Sequence, residues 1–201
     1  IKCGNSLIED DYFNEHQKDL FDNSKSKKIN AFTWDEKFKG VTNNGKFDIV
    51  IGNPPWVSLS GKFGNDILSA EELAYLIKKY NGNTYMPNLY EYFVWKGLHL
   101  CKENGLFAFI VPDRLGFNQQ FINLRKHILD NFSIKSLIYK AHFPGVIADT
   151  LIYVFLNVKD DNAKIDVKEY GYEFQTINQK DYYKNNDFSF TYQKSDVVGQ
   201  L

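Results

Sequence analysis

The residues with the clearest chemical capacity are Asn53-Pro54-Pro55-Trp56, which follow directly on the run Phe47-Asp48-Ile49-Val50-Ile51-Gly52. Two consecutive prolines restrict the backbone and remove two N–H donors, so the loop presents carbonyl oxygens outward from a stiff frame. An exocyclic amine on a base is a poor nucleophile, because its lone pair is delocalised into the ring. A site that accepts both amine hydrogens favours the pyramidal, more reactive nitrogen, and the Asn53 side-chain oxygen and the Pro54 carbonyl are acceptors of that kind. Trp56 offers a flat face on which a base could stack, and a base treated in this way must first leave the duplex. The plainer alternative is a strand-ending turn with a packed tryptophan; the apolar strand and Gly52 immediately upstream weigh against it.

Such a loop needs a rigid support. Phe47–Ile51 reads as a buried strand, closed abruptly by Gly52-Asn53-Pro54-Pro55, and the carboxyl end of a strand is where an open α/β sheet places ligands. Val57 to Pro87 reads as a long polar loop with a short helix around Ala70–Lys79. Leu89–Leu100 carries Leu89, Phe93, Gly97 and Leu100 at helical spacing, and Lys102-Glu103-Asn104-Gly105 supplies a stop. Further strands are predicted over Leu106–Val111, Ile134–Tyr139 and Leu151–Val158, with an amphipathic helix over Phe117–Asn131. Residues 1–7 read as the end of a short strand turning at Gly4-Asn5, and Asn23 to Lys28 as a solvated loop. This alternation predicts an α/β fold with a mostly parallel sheet, and the short link from Lys140 to Thr150 predicts an antiparallel edge hairpin.

The string over residues 47 to 56 resembles the catalytic motif of amino-methyltransferases that use S-adenosylmethionine, in the gamma-type motif order of type II restriction-modification enzymes. Ile-Lys-Cys-Gly-Asn-Ser-Leu at 1–7 resembles that family's third motif, and Phe32, Trp34 and Phe38 match a pattern between that motif and the catalytic loop. Asn88 to Phe93 resembles the helix after the loop, Gly105 to Arg114 the next strand, and His142-Phe143-Pro144-Gly145-Val146 the hairpin that carries a base-stacking aromatic. The resemblance implies a Rossmann-like class I methyltransferase fold and methyl transfer to adenine N6, since Asn rather than Ser stands first in the loop. It implies catalytic roles for Asn53, Pro54, Pro55 and Trp56, base stacking by Phe143, cofactor contacts by Asn5 and Phe93, and double-stranded DNA with a flipped adenine as partner. Asn5 stands where the family commonly has Asp; an amide oxygen also accepts a hydrogen bond, although a left-handed turn beside Gly4 is an equal reading. Phe93 reads more readily as core than as a cofactor contact, His142 as a loop residue rather than a general base, and Asp113 with Arg114 as a salt-bridged turn left out of the site. The family's Gly-rich first motif and its target-recognition domain have no counterpart here, so residues 1–158 are read as the catalytic part of the domain and 159–201 as an extension toward further sequence.

Composition narrows the alternatives. The chain has 201 residues, 24 Lys and Arg against 25 Asp and Glu, and a net charge of −1, so any contact with DNA is local rather than the work of a bulk basic field. Cys3 and Cys101 lie far apart without metal-type spacing, which fits a reducing cytoplasm and no metal site. No apolar run approaches the roughly 18 residues of a membrane span. Methylation of rRNA or of protein glutamine, and a non-catalytic remnant that binds a partner, remain open beside DNA methylation.

Overall fold

The computed structural model describes residues 1–15, 27–40, 46–60, 67–142 and 148–192. Its centre is a six-stranded sheet of β1 (Phe47–Gly52), β2 (Cys101–Pro112), β3 (Ser133–Tyr139), β4 (Thr150–Leu156), β5 (Lys164–Glu169) and β6 (Gln175–Asn178), in the order β1-β2-β4-β3-β5-β6. β1 is parallel to β2 and β3 to β5, while β4 runs antiparallel between β2 and β3 and β6 antiparallel to β5. Four of the six strands thus share one direction, and their carboxyl ends form one rim. The β3–β4 hairpin is interior, not at the edge, because β5 and β6 extend the sheet beyond β3. The stretch read as an extension after residue 158 supplies those two strands, and Ile165, Val167, Tyr182 and Phe190 are buried in the main core.

One face of the sheet carries the helices. α1 (Ala70–Tyr80) opens with a capping box, in which the Ser69 hydroxyl accepts the Glu72 N–H at 3.2 Å and the Glu72 carboxylate accepts the Ser69 N–H at 2.7 Å. It closes on Asn81 in the left-handed region, φ 49. α2 (Leu89–Leu100) is buried on nearly every side, with Tyr90, Val94 and Leu98 facing the sheet and Leu89 and Tyr92 facing a second apolar cluster that includes Leu7, Ile8, Leu59 and Leu76. α3 (Ile122–Asn131) is shorter than the amphipathic pattern predicts, because Asp113–Gly116 and Gln119–Phe121 form tight 3-10 turns ahead of it. The predicted stop at Lys102–Gly105 is instead the start of β2, where Asn104 at φ 61 bends the strand.

Among the described residues the other face is only partly covered. Along one rung Ile51, Ala108, Val154, Ser136, Asp166 and Thr176 are register partners, and along the next Ile110, Ile152, Ile138 and Lys168. This face is apolar across β1, β2, β4 and β3 and turns polar at β5 and β6, where Thr176 donates to the Asp166 carboxylate at 2.9 Å. Ile49 is 62% exposed and Ile51 79%, so β1 is an open edge strand rather than the buried one its composition suggests. β-branched residues report a strand, and the number of neighbours it has is decided elsewhere. Residues 1–7 are likewise not a strand of the sheet: a single bridge joins Asn5 to Ala31. Among the described residues no helix is long and apolar enough to cross a membrane.

Candidate active site

The loop Asn53–Trp56 leaves the carboxyl end of β1 on the common rim. Gly52 packs closely there: a Cβ would stand 3.0 Å from the Phe109 ring, which would have to give way slightly. Asn53 and Pro55 are exposed and Pro54 is buried. No hydrogen bond among the described residues takes up the Asn53 amide oxygen or the Pro54 carbonyl, so both acceptors are available to a ligand. Trp56 is half-buried; its indole N–H points to the Ile110 carbonyl of β2 at 3.4 Å and its ring packs against the main core. That contact holds the loop over β2, and only part of the indole surface is left for stacking.

The loop is fixed at its exit as well. Leu59 donates its N–H to the Pro87 carbonyl and Leu89 donates to Val57, each at 2.8 Å, so the segment after Trp56 is laced to the start of α2. Asn88 donates its side-chain amide to the Met86 carbonyl at 2.9 Å. Glu91, in the first turn of α2, is 2% exposed and accepts the Asn83 N–H at 3.3 Å, while its other oxygen lacks a partner at hydrogen-bonding geometry. Burial pushes this carboxyl up to about 7, against the smaller opposing effects of the Asn83 N–H and the Trp95 indole.

The remaining predicted residues are placed as follows. The Asn5 side-chain oxygen accepts the Leu7 N–H at 3.2 Å in an Asx turn, and neither Gly4 nor Asn5 has a positive φ, so the left-handed reading is corrected. Gly4 is required by packing: a Cβ there would meet Phe32 at 2.5 Å. Phe93 is half-buried where the two apolar clusters meet. Phe143 lies outside the described residues, and His142 is an exposed residue of the connection beside it. Asp113 and Arg114 are not a salt-bridged turn. Asp113 donates its N–H to the Asp149 carbonyl at 3.0 Å and its carboxyl is pushed up, by burial first and by Asp149 second; Arg114 is exposed with no carboxylate within 4 Å among the described residues.

An ionic cluster that the sequence showed only as an acidic run at Glu9-Asp10-Asp11 joins the first residues to the helices. The Lys79 ammonium lies 2.6 Å from Glu9, 2.8 Å from Asp11 and 2.8 Å from the Tyr75 hydroxyl, and Lys96 of α2 pairs with Glu9. Burial acts to raise the Glu9 carboxyl, but hydrogen bonds from Lys79 and Lys96 outweigh it and the net shift is downward. Phe32, Trp34, Phe38 and Phe47 form an aromatic cluster, with Trp34 and Phe38 stacked at 5.5 Å, and Trp34 donates to the Ser6 carbonyl at 3.1 Å. A cavity of about 120 Å³ is lined by Lys2, Gly4, Ser6, Phe32, Trp34 and Phe38, and not by Asn5 or Phe93. A larger groove of about 970 Å³ includes Lys96, Trp95 and His127 in its lining, but it lies at the amino ends of the strands, away from Asn53, and its Lys79 and Lys96 are already paired.

Comparison with known proteins identifies the family. A family profile described as Eco57I restriction-modification methylase matches residues 1–144. A type II restriction enzyme and methyltransferase of Escherichia coli, RM.Eco57I, is 28% identical over 138 residues, covering 69% of this chain and 12% of its own length. A type II methyltransferase of Geobacillus stearothermophilus, M.BstVI, is 31% identical over 93 residues, covering 46% of this chain and 16% of its own. The chain therefore spans less than a fifth of either relative. Among solved structures, a nuclease-deletion mutant of the type ISP restriction-modification enzyme LlaGI, in complex with a DNA substrate mimic, superposes with a TM-score of 0.55 at 14% identity, over 92% of this chain and 21% of that one. The type IIG restriction endonuclease BpuSI gives a TM-score of 0.52 at 14% identity, over 71% of this chain and 20% of that one. These likenesses extend to the fold.

Proposed function

Since this chain belongs to the Eco57I family of restriction-modification methylases, we propose that it carries the catalytic loop of a DNA methyltransferase that modifies adenine at N6. The observation that supports this most is the loop itself: an exposed Asn53 and a stiff Pro54-Pro55 pair at the carboxyl end of a strand, with two acceptors unclaimed, held in place by Trp56 on β2. S-adenosylmethionine, when bound, supplies an electrophilic methyl group. The Asn53 Oδ1 and Pro54 carbonyl accept the two hydrogens of the target amine, hold the nitrogen lone pair out of conjugation and stabilise the positive charge that develops on it. The exposed part of Trp56, with Phe143, bears on the faces of the flipped base.

Asn5 and Phe93 would hold the adenine end of the cofactor. The second lone pair of the Asn5 side-chain oxygen remains after the Leu7 N–H is bound, which suits an amine donor.

Substitution of Asn53 by Ala in the protein as encoded is expected to lower single-turnover methyl transfer about a hundredfold to a thousandfold while leaving its thermal unfolding unchanged. Asn53→Asp is expected to be milder and Asn53→Ser poor on adenine. Transfer of radiolabelled methyl to duplex DNA measures all three; parent-like turnover by Asn53→Ala would remove the loop from the chemistry.

A further inference from the structure

The exit of the Asn53 loop is set by a distant part of the chain. Val57–Leu59 is bonded to Pro87–Leu89 through the Leu59–Pro87 and Leu89–Val57 hydrogen bonds and an antiparallel bridge between Ser58 and Asn88, so the loop leaves the site along a path that residues 87–89 define. Those residues are in turn placed by 81–86, a segment bent twice through the left-handed region, at Asn81 (φ 49) and at Met86 (φ 53). A side chain as bulky as that of Met86 keeps such a conformation where its surroundings impose it. Two contacts hold the segment on α2. Gly82 lies against the Tyr92 ring, where a Cβ would stand 2.6 Å from it, and Asn83 donates its N–H to Glu91 at 3.3 Å.

Glu91 is an unusual residue for that contact. An acid in the first turn of a helix is favourable at the surface. This one is 2% exposed, one of its oxygens has no partner at hydrogen-bonding geometry among the described residues, and its neighbours Asn83 and Trp95 are neutral. A buried carboxyl without a counter-charge is costly, and packing alone would be served by an apolar side chain of similar size. We propose that Glu91 is a positioning residue for methyl transfer, holding residues 81–86 on α2 and, through Pro87–Leu89 and Val57–Leu59, the exit of the Asn53 loop. In this role it touches neither base nor cofactor. The inference rests on the reading of the Asn53 loop as catalytic, and it adds what sets the loop's position and how that position responds to pH. Burial pushes the Glu91 carboxyl up to about 7, and once ionised it regains water when 81–86 lifts from α2, so the lifted form gains population as pH rises. The titratable groups around it are Tyr90 and Tyr92 on α2 and, against Tyr92, Tyr80 of α1; burial raises all three hydroxyls well above that range, which leaves Glu91 as the group that switches.

The test uses the protein as encoded, a duplex bearing its methylation site as located by modified-base sequencing, and saturating S-adenosylmethionine. At about pH 6, Glu91→Ala is expected to lower the single-turnover rate of methyl transfer about tenfold while its dissociation constant for DNA stays within about threefold of the parent, and Glu91→Gln, which keeps an acceptor for the Asn83 N–H, to match the parent rate. Between about pH 6 and pH 8.5 the parent rate is expected to fall about threefold to tenfold relative to that of Glu91→Gln. Amide hydrogen exchange, corrected for the intrinsic effect of pH, is expected to show residues 81–86 losing protection over that range in the parent and keeping it in Glu91→Gln. If Glu91→Ala does not fold, the comparison of the parent with Glu91→Gln decides. A parent-like rate for Glu91→Ala, a loss that Glu91→Gln shares in full, or identical pH profiles and exchange for the parent and Glu91→Gln each overturn the inference, and a slow Asn53→Ala then leaves the catalytic reading intact. Parent-like turnover by Asn53→Ala overturns both.

Discussion

At the scale of single residues, the chemistry of the proposed site and its readability from sequence coincide at Asn53-Pro54-Pro55-Trp56, because consecutive prolines constrain the backbone through local covalent geometry. Glu91 is the counterexample. Its burial depends on residues 81–88 folding over α2, which no local pattern reveals, and sequence alone marks it as an ordinary charged position on a helix. Its carboxyl is raised from 4.5 to about 7, so the folded state holds a proton that the unfolded state has lost. The associated stability is fully present below about pH 4.5 and is lost as pH rises to about 7. Glu91→Gln, which keeps the shape and removes the charge, is therefore expected to melt above the parent at pH 8 and close to it at pH 4. Thermal unfolding of the two proteins across that range checks the sign; a parent whose melting temperature does not fall between those limits would mean that Glu91 titrates normally.

Elements were legible where periodicity is local and unreliable where pairing is distant. The helix over Leu89–Leu100 and the strand over residues 47–52 match their predicted spans closely, whereas the neighbours of each strand do not follow from its composition, as the open edge of β1 shows. The run after residue 158 looked weak because β5 alternates, with Ile165 and Val167 facing the core and Lys164, Asp166 and Lys168 facing out, which dilutes its apolar content. Arg125 also escapes pattern reading. It sits in α3, 0% exposed, and donates to the carbonyls of Leu115 at 2.9 Å, Asn118 at 2.8 Å and Asp187 at 2.9 Å, so that one side chain ties the rim turns and the last described segment to the helix. Arg125→Met is expected to destabilise the fold by about 3 kcal/mol or more, since it strands three acceptors and the Asp187 charge. Urea unfolding measures this, and a loss below about 1 kcal/mol would mean that water or rearrangement replaces the guanidinium.

For the whole molecule, the decisive contrast is between a sheet face covered by helices and one that is bare. Only Asn5 and Phe93 are proposed to hold the cofactor, and neither lines either of the two cavities described above. The 201-residue chain is expected to bind S-adenosylmethionine weakly or not at all. Titration calorimetry checks this, and low-micromolar affinity would show that its own residues suffice. The apolar extent of that face emerges only from register, which brings Ile51, Ala108 and Val154 into one rung. Sheets with mostly co-directional strands are ordinarily covered on both faces. The apolar part of the bare face runs from β1 to β3, four strands at about 4.8 Å each, and stops where Asp166 and Thr176 begin. A strip about 19 Å wide equals the width of two α-helices of about 10 Å diameter lying side by side, so the apolar face up to β5 has room for a layer of that size.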